Sequence, residues 1–351
     1  MTAIPYERLP GGNLLCSTLI FRRLSLSPHS LVRSLPVKLL QTGHWLPILK
    51  IGLAAIFLGS LGVYLKPGRL WEAWKQMDPG WIALAGLLAL LGLGIQWVKW
   101  KQLLRHYRPQ TTWGDGMHSL LIGFALGLVS PGRLGELGRG VFLVGDRATW
   151  VGAAGVDRLC SLAATLAAAW VGLWVIFPGA KPGLVLLLAS LVILALAGAK
   201  AGTGSGDGWI HRVWKAVERA PGGVWARGLT WSILFNLVLF TQFYILVRSW
   251  GPVPGIALWG IPVIFGLKSI LPISFMDLGV REGAAVLVLG MLEADPLAAF
   301  NSAILIFALN VLVPGACGSI LVFRNIFKLN GVQSLPAQSK ILSTTPWMTK
   351  G

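Results

Sequence analysis

Charged residues are scarce in this chain: only 12% of its 351 residues are Asp, Glu, Lys or Arg, whereas 55% are hydrophobic. A soluble domain normally carries about a quarter charged residues, and apolar runs of about eighteen or more residues are typical of membrane-spanning helices. The shortage of charge therefore excludes an ordinary soluble fold. It predicts an all-α polytopic membrane protein.

Acidic residues are the scarcer charged class, with 13 Asp and Glu against 30 Lys and Arg, so the formal net charge is +17. The basic residues stand mostly beside apolar segments, where membrane orientation and anionic lipid headgroups account for them. No groove-reading motif accompanies them, so we expect no nucleic-acid partner. We expect membrane lipids with anionic headgroups as partners, and two protein partners stay open: a second copy of the chain and a lipid-modifying enzyme.

Cysteine and histidine are too few and too scattered to predict a disulfide framework or a metal site. The cysteines are Cys16, Cys160 and Cys317, and among the histidines only His118 lies in an apolar segment. The chain also lacks a nucleophile elbow, an H-E-x-x-H sequence and a Walker A loop. We therefore expect no metal, no cofactor and no catalytic residue. Any transport would draw on an ion gradient, the lipid gradient or a partner.

Six apolar runs predict spanning helices, because each is long enough and is bounded by Pro, Gly or basic residues. The predicted spans are residues 46–65, 80–98, 153–177, 183–199, 229–247 and 298–323. Between the first two, the sequence RLWEAWKQMDPGW predicts an amphipathic helix at the membrane surface.

The predicted spans define a membrane domain, residues 46–325, between two tails. Its halves are residues 46–177 and 183–325. We expect residues 1–45 to form a basic cytosolic tail and residues 326–351 to form a disordered tail.

Two further apolar segments are interrupted. Residues 116–130 break at Pro131 and resume briefly as GVFLVGD, whereas residues 255–271 break at Pro272 and resume as AAVLVLGML. Each is either a re-entrant helical hairpin or a pair of helices in a plain arrangement of eight spans.

Loop charges favour the hairpins. The predicted loops 99–115 and 200–228 are rich in Lys and Arg, whereas 178–182 and 248–254 have one basic residue each. The positive-inside rule then places the two basic loops and both termini in the cytosol. Each interrupted segment must begin and end on one side, so the two hairpins enter the membrane from opposite faces.

The two interrupted segments resemble each other. Glu136-Leu137-Gly138-Arg139 is similar to Asp277-Leu278-Gly279-Val280-Arg281, and each follows a proline. Each half is then span, span, hairpin, span, in opposite orientation. Inverted repeats with Gly/Pro-interrupted segments indicate a transport site where the repeats meet.

Charged residues at membrane depth are the candidate site, because each costs about 2.5–3.5 kcal/mol in a lipid environment. Arginine has a planar fork that suits phosphate, and free N–H groups at a helix start favour anions. The candidate substrate-binding residues are Arg133, Glu136, Arg139, Asp157, Arg158, Arg281 and Glu282. The candidate backbone positions are Pro131, Gly132, Gly135, Pro272, Gly279 and Gly283.

The arginines would hold an anionic headgroup, and the carboxylates would pair with them in the empty state or carry a coupling proton. The alternative is that these charges only form buried ion pairs that hold the hairpins in place.

Four sequences, WVKWKQLL, SPGRLGELGRGVFL, VDRLCSLAA and LPISFMDLGVREGA, together resemble the flippase-like lysylphosphatidylglycerol synthase transmembrane family over about residues 45–325. That family includes the membrane half of the bacterial multiple peptide resistance factor. By resemblance, Arg133, Glu136 and Arg139 match its first motif. Asp157-Arg158 match the following acidic–arginine pair, and Arg281-Glu282 match the second motif.

The resemblance implies lipid translocation. Met276 and Asp277 stand where glycine is common in the family, which implies a different headgroup preference. Nothing in the chain resembles the soluble aminoacyl-transferase domain, so lysyl transfer is not implied.

The expected function is therefore translocation of an anionic phospholipid or lipid-linked headgroup across the cytoplasmic membrane, by a protein that is not an enzyme. Two alternatives stay open. One is an integral membrane enzyme that acts on a lipid, and the other is a non-transporting subunit that accompanies a lipid- or glycan-modifying enzyme.

Overall fold

A computed structural model describes residues 68, 78–130, 133–178, 208–270 and 279–333. Every regular element within these ranges is a helix, which confirms the all-α class for the described part of the chain. The predicted spans 46–65 and 183–199, the predicted surface helix before residue 78 and both predicted tails lie wholly or mostly outside the described residues.

Four described helical stretches are long and apolar enough to cross a membrane, and each overlaps one of the predicted spans: Pro79–Tyr107, Arg147–Ile176, Gly222–Arg248 and Pro296–Arg324. In chain order the helices are α1 Pro79–Tyr107, α2 Trp113–Leu128, a 3₁₀ helix Leu134–Gly140, α3 Arg147–Ile176, α4 Trp209–Glu218, α5 Gly222–Arg248, α6 Ala257–Ile270, α7 Val280–Met291, α8 Pro296–Phe307, a π-helical turn Ala308–Leu312 and α9 Val313–Gln333.

Carboxylates cap the N-termini of α1 and α3. Asp78 Oδ1 accepts a hydrogen bond from the Gly80 backbone N–H at 2.8 Å, and Asp146 accepts one from the Thr149 N–H at 3.0 Å. At the start of α2, Thr112 and Asp115 form a capping box, and the hydrogen bond from the Thr112 backbone N–H lowers the pKa of Asp115. These caps satisfy N–H groups that a helix start leaves without partners.

Two predicted loops are wrong. Residues 99–107 continue α1, because no Gly or Pro interrupts the chain before Pro109, and Lys99 and Lys101 are buried in that helix. The predicted loop 200–228 contains α4 and the first turns of α5. Basic residues that were assigned to loops therefore lie on helices.

Helices α1 and α5 pack against each other in antiparallel orientation. Gln242, late in α5, donates from Nε2 to the carbonyl oxygen of Ala85, early in α1, at 3.0 Å. Trp231, early in α5, donates from Nε1 to Oε1 of Gln102, late in α1, also at 3.0 Å. The end of α1 and the start of α5 therefore lie at the same end of the bundle.

Glycines bring two other helix pairs into backbone contact. On α9, a Cβ at Gly318 would lie 1.9 Å from the carbonyl oxygen of Leu121 in α2. On α3, a Cβ at Gly172 would lie 2.4 Å from the carbonyl oxygen of Trp259 in α6. Small residues permit such close approach between membrane helices. Helix α2 therefore packs on α9, and α6 packs on α3.

The predicted span 298–323 is interrupted by the π-helical turn Ala308–Leu312. Asn310 in this turn donates from Nδ2 to Oε1 of Gln242 at 2.8 Å, and Gln242 in turn reaches Ala85. A polar bridge therefore connects the π-helical turn with α5 and α1 inside the bundle.

Candidate functional site

The first motif folds back on α2. The Gly135 backbone N–H donates to Ser130 Oγ at 2.6 Å, and a Cβ at position 135 would lie 2.0 Å from the carbonyl oxygen of Leu126. Arg133, just before the 3₁₀ helix, has a left-handed backbone with φ of 55°. This conformation is uncommon for a residue with a side chain. The turn after α2 is therefore tight, and only glycine fits at position 135.

Two glycines of α2 make room for the charged side chains of the motif. A Cβ at Gly123 would lie 2.8 Å from Cβ of Arg139, and a Cβ at Gly127 would lie 3.0 Å from Cγ of Glu136. Because these glycines are one helical turn apart, they form one groove along α2. The sequence GFALG on α2 thus seats both side chains.

Glu136 is the anionic centre of the first motif. Its Oε1 pairs with Arg133, and its Oε2 pairs with Arg158 on α3. The Nη2 atom of Arg139 lies 3.8 Å from the same Oε2. A single carboxylate therefore stands among three guanidinium groups.

Asp157 on α3 is the second anionic centre. Arg139 donates from Nη1 to Asp157 Oδ2 at 3.0 Å, and Lys99 Nζ lies 2.9 Å from Asp157 Oδ1. Lys99 also donates to Ser161 Oγ at 2.8 Å. The Arg139 guanidinium lies over the Trp100 ring, 4.7 Å from its centroid, which fixes it further through a cation–π contact.

The charges in this cluster do not balance. Its four cations, Lys99, Arg133, Arg139 and Arg158, face the two carboxylates of Glu136 and Asp157, so the described cluster has a formal excess of two positive charges. Most of it is buried, but the Arg158 side chain is 40% exposed against 7% for Arg139. Arg158 is therefore the most accessible guanidinium.

A further cation comes from the second interrupted segment. Lys268, near the end of α6, lies within electrostatic range of Glu136, and its Nζ is 5.9 Å from the centroid of the Phe265 ring. The end of α6 and the first motif are therefore close together, although they are more than a hundred residues apart in sequence.

The second motif forms its own buried pair at the start of α7. Arg281 donates to Glu282, whose other carboxylate oxygen accepts a hydrogen bond from the Gly279 N–H at 2.7 Å. Gly279 has φ of 91°, which favours glycine, and its carbonyl accepts a hydrogen bond from the Gly283 N–H at 2.8 Å. The Arg281 guanidinium lies 5.2 Å from the centroid of the Phe307 ring.

The predicted site residues therefore fall into two groups. Arg133, Glu136, Arg139, Asp157 and Arg158 form one cluster. Among the described residues, no direct ion pair or hydrogen bond connects Arg281 or Glu282 with that cluster. Pro131, Gly132 and Pro272 lie outside the described residues.

Asp157 also borders a small cavity between α1, α3 and α5. The cavity is also lined by Lys99, Gln102, Arg227 and Trp231, and its volume of about 20 Å³ has room for about one water molecule. Lys99 and Asp157 therefore lie beside a polar space large enough to be hydrated.

Lys99 belongs to this cluster but is not among the predicted site residues. The sequence does indicate that Lys99 is buried, because it stands between Val98 and Trp100 in an apolar run without a helix breaker. A lysine in such a run needs a buried partner, and Asp157 on α3 provides it.

No group of three or more His, Cys, Asp or Glu side chains that could hold a metal ion occurs in the described part of the chain. A family model described as "Lysylphosphatidylglycerol synthase TM region" matches residues 48–318. No curated protein and no solved structure matches the chain.

Proposed function

Because the chain belongs to the lysylphosphatidylglycerol synthase TM region family, it is a membrane protein tied to lipid modification or flipping, and we propose that it translocates a lipid with an anionic, phosphate-bearing headgroup between the two leaflets. The headgroup would bind at the Glu136 cluster, which consists of Lys99, Arg133, Glu136, Arg139, Asp157 and Arg158. The acyl chains would stay in the bilayer.

The observation that carries the proposal is the concentration of cations at this site: among the described residues, four cations surround two carboxylates, and most of these side chains are buried. Several cations close together at membrane depth are costly, and a bound phosphate would lower that cost. Guanidinium groups bind phosphate through paired, charge-assisted hydrogen bonds, which suits Arg133, Arg139 and Arg158 to this role.

The Glu136 carboxylate would occupy the phosphate-binding position when no headgroup is bound. Its two oxygens bind the same guanidinium groups that a phosphate would engage. A headgroup that arrives at the exposed side of Arg158 would displace the carboxylate, and the carboxylate would return when the headgroup leaves. Headgroup binding would thus be a competition between two anions for three arginines.

The proposal includes an inverted repeat with two re-entrant hairpins. In such a repeat α1 corresponds to α5, α2 to α6, and α3 to the α8–α9 helix. An axis in the membrane plane makes equivalent helices antiparallel, and α1 and α5 do pack antiparallel.

The other contacts follow the same symmetry. The contact of α2 with α9 corresponds to the contact of α6 with α3, and both are made through glycines. The approach of Lys268 to Glu136 supports a site between the tips of the two hairpins.

We further propose that the protein resides in the cytoplasmic membrane with both termini in the cytosol, and that it is a transporter without an enzymatic step. Asp277 and Met276 of the second hairpin would contribute to the choice of headgroup. Lipid modification would then belong to a partner.

The test is lipid flipping in proteoliposomes that contain a trace of phosphatidylglycerol with a fluorescent headgroup-proximal label, where dithionite quenches the outer leaflet. We expect the wild-type protein to make the inner-leaflet label accessible. Arg158→Gln should slow this at least tenfold, because a guanidinium–phosphate contact is worth about 1.5–3 kcal/mol. Arg248→Gln, an exposed residue at the last turn of α5, is the matched control and should flip at the wild-type rate.

Wild-type protein without flipping activity would contradict the proposal and favour an accessory role. Chemical conversion of the labelled lipid by the protein alone would instead favour an enzyme. Equal rates for wild type and Arg158→Gln would show that the cluster does not bind the headgroup.

A further inference from the structure

Helix α4 is attached to the end of the bundle where α1 ends and α5 begins. The Tyr107 hydroxyl at the end of α1 donates to the carbonyl oxygen of Ala216 at 2.8 Å. A Cβ at Gly152 on α3 would lie 2.6 Å from Cβ of Ala216, so α4 packs closely on the first turns of α3. Ala216, which makes both contacts, is buried. One face of α4 is therefore packed against α1 and α3.

A second face of α4 is basic. Arg212, Lys215 and Arg219 are spaced by three and four residues, which places them on one side of the helix, and all three are exposed. Among the described residues only Arg212 has an acidic partner, Asp146, at 3.8 Å. Both side chains of that pair are exposed, so the pair contributes little to stability. The basic face therefore presents cations that the described protein does not neutralise.

An exposed tryptophan lies near the basic face. Trp209, the first residue of α4 and three residues before Arg212, is 50% exposed. Tryptophan is enriched where a protein meets lipid headgroups. The spanning helix α5 begins at Gly222, three residues after Arg219, so the basic face is held at the end of a membrane-crossing helix.

We infer that the basic face of α4, formed by Arg212, Lys215 and Arg219, is a docking surface for the anionic headgroups of the adjacent lipid leaflet. Exposed cations, an exposed tryptophan and a fixed position beside α3 and α5 match the charge and the polarity of a phospholipid surface. Each cation near an anionic bilayer strengthens the association by about fivefold, so the three together give about a hundredfold. The surface is separate from the Glu136 cluster, and the inference does not depend on translocation.

The test measures amide hydrogen exchange of residues 209–218 in the full-length protein, reconstituted in nanodiscs. One set contains only phosphatidylcholine, and the other contains phosphatidylcholine with one third phosphatidylglycerol. We expect exchange to be at least tenfold slower in the anionic nanodiscs at low salt, and we expect molar salt to remove the difference.

The triple variant R212Q/K215Q/R219Q should lose the difference between the two lipids. The charge-retaining variant R212K/K215R/R219K is the matched control and should keep it, because the surface requires positive charge and not a particular fork geometry. Equal exchange of wild-type α4 in both lipids would overturn the inference, as would a difference that persists in the R212Q/K215Q/R219Q variant. Neither result bears on flipping, because this measurement involves no translocation.

Discussion

Arg139 donates a hydrogen bond from Nη1 to Oδ2 of Asp157 at 3.0 Å, and this contact joins the first motif to α3. The other oxygen of Asp157 pairs with Lys99 of α1 at 2.9 Å. One carboxylate therefore holds two cations from two other elements. This arrangement predicts which substitutions here destabilise the protein most.

Asp157→Asn should destabilise the protein more than Lys99→Met does. The first change removes the carboxylate that Lys99 and Arg139 share, whereas the second leaves Asp157 paired with Arg139. Loss of one partner of a buried pair typically costs about 3–5 kcal/mol. Thermal unfolding in a mild detergent measures the order, and a Tm that falls further for Lys99→Met would contradict it.

The double variant K99M/D157N should be more stable than D157N alone. Removal of Lys99 takes away the cation whose carboxylate partner D157N removes, so the two effects should not add. The same unfolding experiment tests this, with the two single variants as references. Additive losses of stability would mean that Lys99 and Asp157 do not interact.

Glu136→Gln should bind anionic lipid more tightly than the wild type and flip it more slowly. The variant removes the carboxylate that competes with the headgroup for Arg133, Arg139 and Arg158, and that would displace the headgroup afterwards. Native mass spectrometry can count the phosphatidylglycerol molecules that the detergent-solubilised protein retains, and the dithionite assay gives the rate. Weaker lipid retention than in the wild type would exclude the competition between Glu136 and the headgroup.

Gly318→Ala should loosen the contact of α9 with α2 at a cost of about 1–3 kcal/mol, the usual range for overpacking. The added methyl group would meet the backbone carbonyl of Leu121, which cannot rotate away. Gly86→Ala on α1 is the matched control, because a Cβ at position 86 has no neighbour within 4 Å. It should leave the Tm unchanged or raise it slightly.

Cysteine accessibility tests the proposed hairpins. In a background without Cys16, Cys160 and Cys317, Leu134→Cys should react with a membrane-impermeant maleimide only from the cytosolic side. Val280→Cys should react only from the outer side. Reaction of both positions from one side would disprove the inverted arrangement.

The sequence was most informative about features that depend on apolar runs and on helix breakers. Four of the six predicted spans coincide with described spanning helices, because each run is longer than an ordinary buried helix. The grouping of Arg133, Glu136 and Arg139 was also predictable, because charges are costly at membrane depth and three of the contacts of these residues are with one another or with the backbone between them.

Contacts between residues that are far apart in the chain could not be predicted from apolar runs and helix breakers. Lys99 was assigned to a loop because its charge resembles that of interfacial lysines, and only the packing of α1 on α3 reveals its contact with Asp157. Helix α4 was missed for a related reason. Its polar residues are typical of a loop, and the helix becomes favourable through its contacts with Gly152 and Tyr107.

The π-helical turn between α8 and α9 contains one residue more than a regular α-helical turn would use. If the same residues formed a regular α-helix instead, everything beyond the turn would be rotated by about 100°. Gly315 and Gly318 would then face away from α2, and larger side chains would take their place. Helices α8 and α9 therefore pack in two different registers on one continuous helix, and the π-helical turn sets the difference between these registers.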